Sequence, residues 1–264
     1  MSSRLSRTAR AKACALVASA TALLATGLLH PTPAAAASAQ ATAAVLDLDG
    51  ADPTPVVHGE DRAYDTASIV KVDILAALLL QAQDAGRGLT ARERERAEPM
   101  IRRSDNAAAN ALWRQIGRAP GLAAANKRLG LTSTTGGPGA KWGLTRTTAR
   151  DQIRLLRAVF GTGGTVHAGS GGLDADSRAY IGTLMSRVVP EQTWGVPAAG
   201  AEGSEKTLKN GWLQRGTTGL WDVNSVGRIT VKGHRYLVAV LSDGSASMSD
   251  GVSLVERTAR AAVG

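Results

Sequence analysis

Two polar side chains in the segment Asp65–Gln83 have the types and the spacing of a nucleophile and its base. Ser68 and Lys71 are three residues apart at the start of a predicted helix. They therefore share one helical face, one turn apart, where the amine could take the hydroxyl proton. Asp65 and Thr66 are suitable N-caps for this helix. Because the residues after Lys71 are apolar on almost every face of the helix, we expect a buried helix that holds Ser68 and Lys71 rigidly at its N-terminal end.

A lysine can act as such a base only if its positive charge is suppressed. With an ordinary pKa of about 10.4, roughly one lysine in 2500 is neutral at pH 7, a deficit of about 4.6 kcal/mol. Burial, the positive end of the helix or a second nearby cation could each lower the pKa of Lys71. A serine followed three residues later by a lysine also arises by chance about once in a chain of this length. The pair therefore needs support from other segments.

The first 39 residues have the composition of a secretory signal peptide. Basic residues come first, an apolar run from Ala13 to Leu29 follows, and small residues from Ala34 to Ala39 offer a cleavage site. We predict that residues 1–39 are removed on export and that residues 40–264 form a single secreted domain on the cell-wall side. An uncleaved membrane anchor is the alternative, since the apolar run is near the lower limit for spanning a bilayer.

The predicted mature chain suits one soluble domain with a sizeable core. It has 225 of the 264 residues, contains no cysteine, and carries a net charge of +5 instead of +9. The lack of cysteine excludes disulfides and thiolate metal sites. Because the arginines and lysines are scattered, we expect a solvated surface and no nucleic-acid partner. No later apolar run could cross a membrane, and we expect a monomer without metal or organic cofactor.

Strand patterns at both ends of the chain enclose a helical middle. This arrangement predicts an α+β fold, with one antiparallel sheet built from both chain ends, flanking helices and an all-helical insertion. The predicted strands are Ala43–Leu48, Thr54–His58, Leu208–Leu213, Trp221–Val231 and Arg235–Ser242. The predicted helices after Asp65–Gln83 are Thr90–Arg103, Ala107–Ile116, Gly121–Leu129, a helix that is capped by Thr147 or Thr148 and runs to Phe160, Asp174–Val189 and Ser247–Ala262.

Three short motifs follow one another along this framework. They are Ser68-Ile69-Val70-Lys71 at a helix start, Ser104-Asp105-Asn106 in a turn between helices, and Lys209-Asn210-Gly211-Trp212 on a strand. A fixed Ser-Asp-Asn tripeptide occurs by chance in about one chain in twenty-five of this length. In order and context the set resembles the class A β-lactamase and penicillin-binding serine hydrolases, which carry S-x-x-K, S-D-N and K-T-G. The resemblance covers nearly all of the predicted mature chain.

The resemblance implies a role for each matching residue. Ser68 would be the acylated nucleophile with Lys71 as its base, and Ser104 would pass a proton to the leaving nitrogen. Asn106 would hold Lys71 and the substrate amide. Lys209 would be the second cation that disfavours a charge on Lys71. The substrate-binding set would comprise Asn106, Asn210, Gly211 and Trp212, with the backbone N–H groups of Ser68 and Trp212 as the oxyanion hole.

The chain departs from the family pattern in two places. The family's deacylating glutamate lies between S-D-N and the next helix, yet the 44 residues 107–150 contain no Asp or Glu. Glu98 and Glu191 lie in other segments, where a solvated helix face and a loop are the simpler interpretations. Asn210 replaces the hydroxyl residue that contacts the β-lactam carboxylate. Recognition of that carboxylate is therefore in question, although an amide could still donate a hydrogen bond there.

The sequence favours an enzyme and leaves its substrate open. We expect a serine hydrolase that is acylated at Ser68 by a β-lactam, a cell-wall peptide, or another amide or ester. The alternative is a non-catalytic protein that binds cell-wall peptide or a partner protein on a degenerate enzyme fold. Other catalytic motifs are absent, and the isolated histidines do not form a site. Trp142, Trp194 and Trp212 occupy segments that would border the cleft, either as packing or as a wall for a sugar or acyl chain.

Overall fold

The two ends of the chain meet in one antiparallel sheet. In the computed structural model, which describes residues 38–51, 54–161 and 171–264, strand β1 (Gln40–Asp47) pairs along its whole length with β7 (His234–Asp243). The other strands of this sheet are β2 (Val56–His58), β5 (Thr207–Gln214) and β6 (Trp221–Val231). Their spatial order is β2-β1-β7-β6-β5, so β5 is an edge strand. A separate short ladder joins β3 (Tyr64–Asp65) to β4 (Arg146–Thr147).

The strand β1 shows why the sheet is covered on both faces. Its side chains alternate between two cores: Ala44 and Leu46 join one, while Ala43 and Val45 join the other. The larger core contains α1 (Val70–Asp84), in which every residue from Val70 to Leu80 is buried. The smaller core lies under α7 (Met248–Val263). The helix that carries the candidate site is therefore fixed inside the larger core.

The helical middle of the chain surrounds α1. It consists of α2 (Ala91–Arg102), α3 (Asn106–Gln115), α4 (Arg118–Leu129), α5 (Ala149–Phe160) and α6 (Ala175–Met185). Several starts follow from the sequence, because polar side chains cap them. Thr90 and Glu93 form a capping box at α2, and Thr148 accepts a hydrogen bond from Asp151 at α5. The predicted fold, a sheet from both chain ends with a helical insertion, is confirmed.

Three local predictions differ from the structure or fall outside it. Ser68 lies on a 3-10 turn, Ala67–Ile69, and α1 begins only at Val70, so neither Asp65 nor Thr66 caps that helix through its side chain. The helix α6 ends at Met185 and not at Val189, because Val189 is extended before a proline and bonds to Arg102. The predicted signal peptide lies almost entirely outside the described residues, as does His167.

Candidate active site

The turn that carries Ser68 is held in place from the sheet. Asn224 on β6 donates hydrogen bonds to the carbonyls of Asp65 and Thr66, at 2.9 and 3.1 Å, and its own side-chain oxygen accepts from the Ser242 amide. The preceding Ala67 has a φ of +46°, a left-handed conformation that costs energy for a residue with a Cβ. Ser68 itself is half-buried. The surrounding contacts therefore fix a strained turn that presents the serine at the head of α1.

Gly211 lets the edge strand β5 approach this turn closely. A Cβ at position 211 would lie 2.7 Å from both the Ser68 amide nitrogen and the Thr66 carbonyl oxygen, and 2.8 Å from the Ile69 amide nitrogen. Such contacts are far shorter than van der Waals distance, so only glycine fits. The strand segment that contains the Trp212 amide consequently runs beside the Ser68 amide, as a two-amide oxyanion hole requires.

Ser104 joins the two lysines of the predicted site. Its Oγ accepts one hydrogen bond from Lys71 Nζ and one from Lys209 Nζ, each at 3.0 Å. With both acceptor positions occupied, the Ser104 hydroxyl proton is left to point toward a third group. The residue also has a positive φ of 57°, so the turn after α2 is bent to bring it here. The structure thus brings together three residues that are separated by up to 138 positions in the sequence.

The Ser-Asp-Asn turn divides its tasks between neighbouring side chains. Asp105 caps α3 by accepting a hydrogen bond from the Ala108 amide at 2.7 Å. Asn106 is therefore free to turn its Oδ1 toward Lys71, which donates to it at 2.8 Å. Lys71 also donates to the Ser104 carbonyl at 2.6 Å. The local sequence explains this arrangement, since an aspartate is a good N-cap and an asparagine at the first helical position keeps its side chain available.

Burial lowers the pKa of Lys71 and so disfavours its positive charge. The side chain is fully buried, and this desolvation lowers the pKa of Lys71 to about 7, against an opposing effect of the nearby Asp105 carboxylate. The Lys71 amine can therefore lose its proton near neutral pH, as a base for Ser68 must. Burial is thus the main cause of the lowered pKa of Lys71, and the expectation that Lys209 also suppresses this charge stays a prediction. Lys209 is also fully buried, and the pKa of Lys209 is lowered strongly by that burial and then by Lys71.

The two lysines share Ser104 but differ in their other partners. Lys71 donates three hydrogen bonds, to the carbonyl and Oγ of Ser104 and to Asn106 Oδ1. Lys209 donates two, to Ser104 Oγ and to the Asn210 carbonyl at 2.8 Å. Both amines are therefore held at the Ser104 hydroxyl, Lys71 by the Ser-Asp-Asn turn and Lys209 by the backbone of its own strand.

Asn210 lies in the site region but offers no free donor. Its Nδ2 donates to the backbone carbonyls of Gln192 and Trp194, both at 2.9 Å, and the whole side chain is buried. The suggestion that this amide donates to a substrate carboxylate is consequently wrong for the described structure. The amide instead ties β5 to the segment that follows α6. Trp212, on the same face of β5, packs edge to face against Trp194 with ring centroids 5.9 Å apart.

The loop between α4 and α5 reaches the site with a tryptophan in place of an acid. The Trp142 ring lies over Lys71, with 4.7 Å between Nζ and the ring centroid. Glu98, one of the two glutamates considered elsewhere, is paired with Arg102 on α2. Glu191 is exposed on a 3-10 turn, Pro190–Gln192. In the described residues, no group of three or more histidines, cysteines or carboxylates could hold a metal ion.

Sequence reasoning missed several residues that shape the site. Asn224 holds the Ser68 turn, and Asp65 forms ion pairs with Arg146 at 3.5 Å and with Arg215. Asn110 on α3 anchors Trp142 by accepting its Nε1–H at 2.7 Å. None of these residues belongs to a short motif, and Asn224 bonds to residues some 158 positions away. The one available signal was the polar pair Asn224-Ser225, which interrupts the alternation of apolar residues in β6.

This combination of fold and site defines a class of protein, and comparison with known proteins agrees. The solved structure of PBP-A has a TM-score of 0.68 at 21% identity, over 88% of this chain and 90% of that chain. A mutant of PBP-A in an acyl-enzyme complex with penicillin G gives 0.69 at 21% identity, over 85% and 89%. A class A β-lactamase from Bacteroides cellulosilyticus gives 0.67 at 14% identity, over 85% and 92%. At these identities the likeness establishes the fold.

The chain belongs to the Beta-lactamase enzyme family, whose sequence profile matches residues 83–264. The matched region includes Ser104 and Lys209 but begins after Ser68 and Lys71. Curated relatives include the proteins named "Putative lipoprotein LppW" of Mycobacterium tuberculosis and Mycobacterium bovis, which are 30% identical over 184 residues. That alignment covers 67% of this chain and 56% of the LppW sequence. The chain thus spans little more than half the length of these relatives.

Within residues 38–51, 54–161 and 171–264, no helix is both long enough and apolar enough to cross a membrane.

Proposed function

We propose that this protein is a serine hydrolase that forms an acyl-enzyme at Ser68 with an amide or ester of the β-lactam or cell-wall-peptide type. The observation that carries the proposal is the bridge of Ser104 Oγ between Lys71 and Lys209, 3.0 Å from each nitrogen. Two buried lysines are costly to the fold, and such a cost is typical of catalytic sites, where perturbed pKa values serve the reaction. The strained turn at Ala67 and the close approach of Gly211 support the same reading.

The proposed acylation uses each group once. The Lys71 amine takes the proton of Ser68 Oγ, which attacks the substrate carbonyl carbon, and the negative oxygen is held by the N–H groups of Ser68 and Trp212. When the intermediate collapses, the carbon–nitrogen bond breaks and the leaving nitrogen takes the hydroxyl proton of Ser104. Lys71, now an ammonium 3.0 Å from Ser104 Oγ, returns a proton to it. Ser68 is left as an ester and Lys71 as an amine.

We further propose that residues 1–39 direct export and that residues 40–264 act as one domain outside the cytoplasm, as a monomer without metal or organic cofactor. The basic, apolar and small residues of the first segment support export. The name of the related LppW proteins, which contains the word lipoprotein, also agrees with a place in the cell envelope. Amino-terminal sequencing of the protein from culture medium tests the cut after Ala39. A mature chain that begins elsewhere would contradict it.

The acyl-enzyme should be long-lived. Residues 107–150 contain no carboxylate, and general-base help to the attacking water typically contributes about 10² to 10⁴-fold. We therefore expect a stoichiometric burst with a β-lactam followed by very slow turnover. Rapid steady hydrolysis without a burst would contradict this expectation.

Labelling with a fluorescent penicillin tests the nucleophile. Wild-type protein should gain one penicillin mass at the peptide that contains Ser68, and Ser68→Ala should abolish the label while thermal unfolding stays near that of the wild type. Ser133→Ala, which changes an exposed serine elsewhere, is the matched control and should label normally. If Ser68→Ala still labels, the nucleophile is wrong. If folded wild-type protein never labels, the acylation proposal fails for β-lactams.

A binding function is the second candidate, and one observation favours it. All three hydrogen bonds of Lys71 run to Ser104 and Asn106, so its amine is not engaged with Ser68 in the described structure. A protein that only binds cell-wall peptide should retain affinity for that peptide in Ser68→Ala and show no covalent mass change at any pH. Calorimetric titration with a muropeptide, alongside the labelling experiment, separates the two functions.

A further inference from the structure

The loop between α4 and α5 is built as a closed, well-anchored unit. Its ends meet in an antiparallel bridge between Thr135 and Arg146, with reciprocal backbone hydrogen bonds of 2.8 and 2.9 Å. Buried Trp113 on α3 donates to the Gly139 carbonyl at 2.8 Å, which fixes the middle of the loop. At Gly137, a Cβ would lie 2.1 Å from the Lys141 carbonyl, so the turn is tight enough to require glycine. A side chain presented by this loop is therefore held in a defined place.

Trp142 is the side chain that the loop presents to the candidate site. Its Nε1–H is bound by Asn110 Oδ1 at 2.7 Å, which orients the indole, and its ring lies 4.7 Å from Lys71 Nζ. The next residue, Gly143, would place a Cβ 3.8 Å from the Ala67 Cα, so the loop is in contact with the backbone beside Ser68. The indole thus stands on the side of the site where Lys71 and the Ser68 turn meet.

The consequence for Lys71 is complete exclusion from solvent. Three oxygen atoms receive its N–H groups, the indole lies over the nitrogen, and the side chain has an exposure of 0%. Trp142 is itself only half-buried, so it separates the amine from bulk water. In the acyl-enzyme, Lys71 would be the nearest base for an attacking water. A water molecule must contact that amine to be activated by it.

We propose that Trp142 is a positioning residue that covers Lys71 and keeps the hydrolytic water away from the Ser68 ester, so that the acyl-enzyme persists. This inference rests on the proposed acylation of Ser68 and adds to the missing carboxylate a steric reason for slow deacylation.

Two variants and two controls test this role. Trp142→Ala removes the cover, and Asn110→Ala removes only the anchor of the ring from an exposed position on α3. Trp142→Phe keeps an aromatic ring over the lysine. Trp221→Ala removes a half-buried tryptophan that belongs to the smaller core and has no contact with Lys71. Each protein is labelled with penicillin, freed of excess reagent, and followed by intact mass for loss of the adduct.

We expect Trp142→Ala to lose its adduct at least about tenfold faster than wild type, and Asn110→Ala several-fold faster. Trp142→Phe and Trp221→Ala should stay near wild type. Loss of the adduct is timed after labelling is complete, so a slower acylation of Trp142→Ala, whose less buried Lys71 would hold its proton more strongly, does not affect the comparison. An unchanged rate of adduct loss in folded Trp142→Ala overturns the proposal. If Trp142→Ala does not fold, Asn110→Ala decides in the same way.

A second readout separates this inference from the proposed acylation. Reaction with acetic anhydride at pH 8, followed by peptide mapping, reports how accessible the Lys71 amine is. Acetylation of Lys71 should be at least about tenfold faster in Trp142→Ala than in wild type or Trp221→Ala. Equal acetylation rates would contradict the proposal that Trp142 shields Lys71, whether or not penicillin labels the protein. If Lys71 is acetylated faster in Trp142→Ala but penicillin never labels Ser68, the shielding by Trp142 is retained and the proposed function is rejected.

Discussion

Replacing Lys71 and Lys209 by methionine, one at a time, should have unequal effects on the lysine that remains. Both nitrogens are 3.0 Å from Ser104 Oγ, so they lie no more than about 6 Å apart. Methionine has a similar length and no charge. Burial lowers the pKa of Lys71, whereas both burial and the charge of Lys71 lower that of Lys209, so Lys209 should respond more strongly to the loss of its partner.

The size of the effect follows from this separation. Two unit charges about 6 Å apart repel by about 2.8 kcal/mol at an effective dielectric constant of about 20, which equals about two pKa units. Burial is the main cause of the lowered pKa of Lys71, so Lys209→Met should leave that pKa near 7. Lys71→Met removes the repelling charge, and the pKa of Lys209 should rise by about two units. The acylation rate at pH 7 should then depend on Lys209 through Ser104, and not through the ionisation of Lys71.

Carbon-13 NMR of protein with labelled lysine can measure both ionisations, because the Cε shift follows the charge of each amine. The two site lysines are assigned from the signals that each methionine variant lacks. A second measurement is the pH profile of penicillin labelling, whose lower limb reports the ionisation of Lys71. If Lys209→Met raises the pKa of Lys71 by about two units, the charge of Lys209 contributes to suppressing that of Lys71. Burial as the main cause of the lowered pKa would then be refuted.

Three further predictions concern the framework of the site. Gly211→Ala should slow penicillin labelling about 10² to 10³-fold, because its Cβ would push β5 away from the Ser68 amide. A labelling rate within tenfold of wild type would contradict the oxyanion hole proposed at the Ser68 and Trp212 amides. Asn224→Ala should lower the free energy of unfolding by about 2 to 4 kcal/mol, measured in urea, since it leaves buried carbonyls unpaired. Burial raises the pKa of Asp73 in α1 to about 8, so this carboxyl weakens the fold increasingly as pH rises from about 4 to 8. This effect makes the free energy of unfolding fall by up to about 1.4 kcal/mol per pH unit, and Asp73→Asn should remove that dependence. If urea denaturation midpoints of Asp73→Asn still fall with pH in the same way, another group is responsible.

Most of the fold could be predicted from the sequence because its signals are local. Alternating side chains marked β6 and β7, capping residues marked α2 and α5, and the apolar segment after Lys71 marked a buried helix. Errors occurred where a distant contact competed with a local preference. The turn at Ser68 is 3-10 and not α-helical because Asn224 and Gly211 hold the backbone from the sheet. That contact is made by residues more than 140 positions away.

The candidate site shows the same division. By itself the sequence determined the order of Ser68, Lys71, Ser104 and Lys209, and the lack of a carboxylate in residues 107–150. Only the tertiary structure decided the lowered pKa of Lys71, the direction of the Asn210 amide and the place of Trp142. The reason is physical: a pKa depends on how completely surrounding segments exclude water, and a side chain's partner depends on which segments meet. Both are properties of the folded packing, and no spacing along the chain contains them.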